Sequence, residues 1–345
     1  MLCDNYQTKP STILAVLSIT EILHADNIVV NRIHKIDAKE ILMKKIFILA
    51  TVFLLLTACM SAPSAPQPQG KPDSVSQTDS QPTVSSAPVA TTSTTLYISA
   101  TTHIETKPDS WPADKEAFLA FLQQTTDAGV RWSIGGDIGW LENADDAQEI
   151  VQRSAAMGVQ WDNHAHSPDD LGKIASILSS WGVTPTGVVS GFLIKDFDGL
   201  QSSYTYEGYT WSPQVIWGGV VCPGHKDGCD DLSVSLYRPT SSSQFEVHDP
   251  AGQLIKLGGG SHQLADAESL AAEIAQGQHP YPVIGYTIMV EPETLRISTS
   301  DTDDVNAILA FVERMNTYPF IRWATIAETA QTWVDAGEVE FQISK

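Results

Sequence analysis

From residue 95 to residue 336, short apolar strand-like runs alternate with helical ones, and no feature of the sequence limits the possible folds more. A β-branched strand at 95–101 is followed by a helix at 113–128, with Pro112 just before its first turn and Gly129 as its stop. A strand at 130–134, a helix at 145–157, a strand at 159–161, a helix at 169–181 and a strand at 187–189 continue the series. Gly158 and Gly182 close two of these helices. The segment 191–262 breaks the rhythm. It is rich in Gly, Ser and Asp and predicts a hairpin of 245–247 with 254–257, turned by Asp249-Pro250-Ala251-Gly252. A helix at 265–276, a strand at 283–289, a helix at 303–316, a strand at 321–323 and a helix at 326–336 then restore the alternation. Strands that alternate with helices pair in parallel, with the helices outside. The expected fold is α/β: an irregular (β/α) barrel of about seven strands with an inserted loop and hairpin region.

The preceding residues have a different character. Met43-Lys44-Lys45 starts an apolar run from Ile46 to Leu56 that ends in Leu56-Thr57-Ala58-Cys59. A basic start, a short apolar stretch and small residues before a cleavage point describe a secretory signal, and the run is too short to span a bilayer. The ending resembles a bacterial lipobox, which implies cleavage before Cys59 and a lipid on that residue. Residues 43–58 are thus expected to be a signal peptide, and 1–42 an extension from a misplaced start codon. In 60–95, Ser, Pro and Thr supply 20 of 36 residues, with no aromatic, Leu or Ile. Such a segment cannot offset its ordering entropy, so 59–95 reads as a tether and 96–345 as the folded domain. The expected location is the bacterial cell envelope, outside the cytoplasm, with membrane contact through the N-terminal lipid only.

The chain carries 20 Lys plus Arg against 41 Asp plus Glu, a formal charge of −21. That balance argues against nucleic acid as a partner. In an exported protein, Cys222 and Cys229, seven residues apart in a Pro/Gly loop, suggest a disulfide. Zinc held by the same cysteines and His225 is the alternative.

Sites in parallel α/β barrels lie at the C-terminal ends of the strands. There the sequence places His103-Ile104-Glu105, then Gly135-Gly136-Asp137, then Asp162-Asn163-His164-Ala165-His166. Residues i and i+2 of extended chain face the same way, so His103 and Glu105, and likewise His164 and His166, can converge on one ion. Imidazoles with a carboxylate suit a divalent metal such as zinc. Asp137 could equally cap a helix.

The histidine-rich third strand end with Ser167-Pro168-Asp169-Asp170-Leu171, and the closing Arg322-Trp323-Ala324-Thr325-Ile326-Ala327-Glu328, resemble the polysaccharide deacetylase homology domain over about 96–337. The Trp217–His225 stretch, Arg238-Pro239 and His248-Asp249 resemble uncharacterised exported members of that superfamily. The resemblance implies a distorted seven-stranded (β/α) barrel, a divalent metal held by an aspartate and two histidines, and hydrolysis of N- or O-acetyl groups on a polysaccharide. Here Glu105 stands where an adjacent pair of aspartates is usual, and the two histidines are closer together in sequence than in the family motif. On this expectation His103, Glu105, His164 and His166 hold the metal and Asp137 or Asp162 is the base. Arg238 or His248 then steadies the oxyanion or holds the substrate, unless they form structural ion pairs with some of the many carboxylates.

Two other readings fit the same residues. One is a glycoside hydrolase using Glu105 with Asp137 or Asp162. The other is a carbohydrate-binding barrel without a base. Trp132, Trp161 and Trp323 are expected in the core or barrel lining, and Trp140, Trp211 and Trp217 as sugar-stacking candidates.

Overall fold

The computed structural model describes residues 93–223, 229–260, 262–298 and 303–343. The expected extension, the signal peptide, Cys59, most of the tether and His225 lie outside the described residues. Among those described, no helix is long and apolar enough to cross a membrane.

The elements run β1 (Thr95–Ile104), α1 (Lys115–Asp127), β2 (Trp132–Gly136), α2 (Ile138–Asn143), α3 (Ala147–Ala156), β3 (Gln160–His164), α4 (Leu171–Ser180), β4 (Val188–Ser190) and α5 (Phe197–Leu200). Next come β5 (Tyr204–Tyr206), β6 (Tyr209–Trp211), β7 (Val215–Trp217), β8 (Val234–Tyr237), β9 (Pro239–Ser241), β10 (Gln244–His248) and β11 (Ile255–Leu257). The chain then forms α6 (Leu264–Ala275), β12 (Val283–Glu291), β13 (Arg296–Ile297), α7 (Val305–Met315), β14 (Ile321–Trp323), α8 (Ile326–Asp335) and β15 (Phe341–Ile343).

Eleven strands share one sheet, in the order β13-β12-β1-β2-β3-β4-β7-β11-β8-β15, with β14 paired to β1. β12, β1, β14, β2, β3, β4, β7 and β11 are joined by parallel pairings, whereas β8, β13 and β15 pair antiparallel. The sheet curls enough to bring β7 opposite β12: Trp217 Nε1 donates to Thr287 Oγ1 at 3.3 Å. Among the described residues no ladder joins the two ends of the strand order, so the fold is a curled half-barrel rather than a closed seven-stranded one.

Side-chain alternation sets the two faces of the sheet. Trp132 donates to Thr125 of α1, and Trp161 to Ser154 of α3, both outward and fully buried under helices. Ser133, Gly135, Asp162 and His164 therefore face the concave side. α8 packs across that side. Its first amide, Ile326 N, donates to Ser133 Oγ, and a capping box of Thr325 and Glu328 fixes its start.

The expected elements outside 191–262 are present to within a few residues, and α2, β13 and β15 are additions. The expected hairpin of 245–247 with 254–257 does not form. β10 pairs with β9 instead, and Ile255–Leu257 enters the main sheet between β7 and β8. Phe245 turns its ring toward Phe192 and Phe197, while β11 is buried at all three residues. A strand buried on both faces belongs inside a sheet, not in a surface hairpin. Trp140, a sugar candidate, is fully buried and stacks on Trp161 at 5.7 Å, so it is a core residue. Trp211 is also buried and donates to Thr186 O. Trp323 is half-buried and donates to Asn316.

Candidate metal centre

Because the central strands are parallel, their C-terminal ends share one edge, and the polar residues gather there. His103 is the last residue but one of β1, Glu105 follows that strand, and His164 ends β3. These three offer ligand atoms that all lie within 4.8 Å of one another, and the group could hold a metal ion. Glu105 Oε1 is 3.0 Å from His164 Nε2, and its Oε2 is 2.7 Å from His166 Nε2. His166 thus meets the outer oxygen of the carboxylate and is exposed, whereas His103 and His164 are buried. The sequence expected four ligands; the geometry gathers three, with His166 as partner to one of them.

β2 runs between β1 and β3, and its Gly135 lets the two histidines meet. The imidazoles of His103 and His164 lie 4.0 Å apart, ring centre to ring centre. A Cβ at Gly135 would stand 2.7 Å from His164 Cβ and 3.2 Å from His103 Cδ2. On the other side, Gly191 at φ +78° leaves room for the His164 ring, and Ser190 Oγ is 3.0 Å from His164 Nδ1. A ligating Nε2 must be unprotonated, which puts the proton on Nδ1 and makes it the donor to Ser190.

The electrostatics favour ligation. Burial, and then the neighbouring His164, lower the pKa of His103 well below the ordinary imidazole value, so its lone pair stays available. Burial works the other way on Glu105, but the His164 and His166 imidazoles hold its carboxyl below the usual carboxylate range. The hydrogen bond that His166 donates to the Glu105 carboxylate raises the pKa of His166. Two nitrogen donors and one oxygen donor in a mostly buried cluster fit a divalent ion with a coordination position left open.

Two cavities meet at this cluster. The inner one, about 290 Å³, is lined by His103, Glu105, Trp217, Asp231, His262 and Met289 among others. The outer groove, about 610 Å³, includes Thr106, Lys107, His166, Leu193 and Glu293. Both share Glu105, Gly191 and Val220. Cys222 and Cys229 form a disulfide, which removes them as zinc ligands. Their loop joins two stretches of the inner wall, 217–220 and 230–232.

The remaining candidates divide. Asp137 is the N-cap of α2: its Oδ1 accepts from Gly139 N at 2.7 Å and Thr106 Oγ1 at 2.5 Å, and its charge reaches His166. Asp162 lies one alternation deeper than His164, lines neither cavity, and accepts from Thr186 and Ser133. Burial pushes its pKa up to about 7. Arg238 and His248 are not brought to the cluster. Arg238 forms a two-pronged pair with Glu338, at 2.8 and 2.9 Å, and lies over the Trp333 ring; its own N–H donates to His248 Nδ1. The ion-pair alternative is the one realised, because β8, β9 and the end of α8 meet there, away from the strand ends that line the cavity.

The sequence reading missed His262 and Ser190. A histidine after Gly258-Gly259-Gly260 was a usable signal, but the mistaken hairpin hid that these glycines follow a strand of the main sheet. Comparison of the chain with protein-family models, curated proteins and solved structures found no match to any of them.

Proposed function

We propose that the chain is a metal-dependent hydrolase that removes acetyl groups from a carbohydrate, held outside the cytoplasm by a lipid on Cys59. The observation that carries this reading is the His103–Glu105–His164 group, placed where the inner cavity and the outer groove meet. The donor set favours zinc. A zinc ion there supplies Lewis-acid polarisation of a carbonyl and a water of lowered pKa. The chain's own residues do the rest. Ser190 fixes the His164 ring, His166 holds the outer oxygen of Glu105, and Asp137 is a better candidate than Asp162 for holding the proton. Both carboxylates are buried and neither lines a cavity itself, but Thr106, which donates to Asp137, lines the outer groove, and the charge of Asp137 reaches His166.

The glycosidase reading needs two carboxylates facing each other across the substrate. Both oxygens of Glu105 are engaged by imidazoles, and neither Asp137 nor Asp162 lines a cavity to face it across a substrate, which favours metal chemistry. The test is elemental analysis of the purified protein after metal-replete growth, followed by acetate release from tetra-N-acetylchitotetraose and acetylated xylan. Stoichiometric zinc with acetate release supports the reading. Absence of metal removes it, and zinc without acetate release on either glycan leaves the binding-protein alternative.

A further inference from the structure

His262 lies in the loop between β11 and α6, and nothing described above uses it. Its backbone is left-handed, at φ +63°; of the other non-glycine residues with positive φ, Glu207, His279, Leu295 and Glu338, none lines either cavity. The ring stacks on Trp217 with centres 5.7 Å apart, and Trp217 meets His103 edge-on at 5.0 Å. His262 therefore stands one aromatic layer from the candidate metal ligands. Its place is fixed from behind: Trp217 donates to Thr287, Thr287 donates to Gly259 O, and a Cβ at Gly259 would collide with Asp231 O.

The side chain is only 7 % exposed, and among the described residues neither ring nitrogen makes a hydrogen bond of good geometry, the ring only approaching the Gly259 backbone, although it lines the inner cavity beside His103 and Glu105. A buried polar group without a partner costs about as much as a lost hydrogen bond, so natural folds seldom leave one. Burial also lowers the pKa of this imidazole to about 4, which keeps it neutral. A neutral imidazole offers one donor and one acceptor. The same wall carries Glu105, Asp230, Asp231 and Glu291, and Asp231 is answered by Lys256. An anionic ligand gains nothing from such a lining.

We propose that His262 hydrogen-bonds the substrate in the inner cavity, and that the group it takes is uncharged, an amide or hydroxyl of a sugar unit. This rests on the carbohydrate hydrolase reading above. If His262 merely filled space against Trp217, its ring nitrogens would not matter to binding.

The test is calorimetric titration of the zinc-loaded full chain with tetra-N-acetylchitotetraose and with tetragalacturonate, an anionic counterpart. His262→Phe keeps the stack on Trp217 and removes both nitrogens. His262→Gly removes the ring and suits the left-handed backbone. Melting temperature and zinc stoichiometry are read for each. Expected are an unchanged zinc content, a Kd for chitotetraose weaker by about tenfold in both variants, and no binding of tetragalacturonate. Either variant, folded and binding chitotetraose as the wild type does, overturns the proposal. So does loss of zinc from the variants, which would make His262 part of the metal site, or preferential binding of tetragalacturonate. Wild-type protein that binds zinc but no chitotetraose overturns the proposal and leaves the metal centre standing. Protein that binds chitotetraose through His262 but holds no zinc upholds the proposal and overturns the hydrolase reading beneath it.

Discussion

The imidazoles of His103 and His164 sit 4.0 Å apart although the strands that carry them are not neighbours, because the strand between presents Gly135 at that level. A methyl group at Gly135 must push one ring away. Gly135→Ala is expected to leave the fold intact at a cost of about 1–3 kcal/mol and to weaken zinc binding sharply. Thermal melting and zinc titration of the variant check both parts. Undiminished zinc affinity would show that the close approach of the two histidines is irrelevant to the site.

Ligation by three residues rather than four predicts a graded series. Zinc at about 100 times its Kd is expected to stabilise the wild type by about 2.7 kcal/mol, seen as a rise in melting temperature that a chelator reverses. Glu105→Gln and His164→Ala should abolish that rise. His166→Ala should retain it, with affinity weaker by about tenfold, since His166 reaches the ligand set through the outer oxygen of Glu105.

Asp137 and Asp162 separate as bases by substitution to asparagine, which keeps the size of each side chain. Asp137→Asn is expected to lower the rate of acetate release by about two orders of magnitude at unchanged zinc content. Asp162→Asn should act mainly on stability, because that carboxyl is buried in the concave side and carries a raised pKa. The reverse pattern in initial-rate measurements would move the base to Asp162.

The Arg238–Glu338 pair predicts stability rather than catalysis. Arg238→Met should cost about 2 kcal/mol, since it removes the bonds to Glu338 and to the Gly252 and Gln253 carbonyls, and should leave zinc binding unchanged. The hydrogen bond from Arg238 holds the Glu338 pKa below its ordinary value of 4.5. The folded state thus favours the charged carboxylate, so the stabilisation is present above that value and lost as pH falls through the folded pKa. Denaturant melts of wild type and Glu338→Gln should therefore converge in acid and differ at neutral pH.

Lys256 is almost fully buried, paired with Asp231 and donating to Ser233 at 3.0 Å and Ser235 at 2.7 Å. Lys256→Met leaves the Asp231 carboxylate without its counter-charge in the cavity wall. A loss of about 3–5 kcal/mol is expected, measured by chemical denaturation. A double variant, Lys256→Met with Asp231→Leu, should recover much of it.

The sequence alone was enough for whatever depends on local periodicity. The alternation of strand and helix on both sides of 191–262, the glycine stops after α1, α3 and α4, and the placing of His103, Glu105 and His164 at strand ends follow from spacings of two and of three to four residues, which the chain carries within a few turns. The sequence also paired Cys222 with Cys229, which are close in the chain. Contacts between distant segments were decided only by the tertiary structure. Whether 255–257 pairs with 245–247 or enters the main sheet depends on which partner buries both its faces, and β7 lies about 40 residues away. His166 and His164 are equivalent in alternation, yet only the packing of Gly135, Gly191 and Ser190 around His164 makes it the buried one. His262 reaches the cavity because the sheet curls β7 and β11 toward β12, and no local pattern encodes that curl.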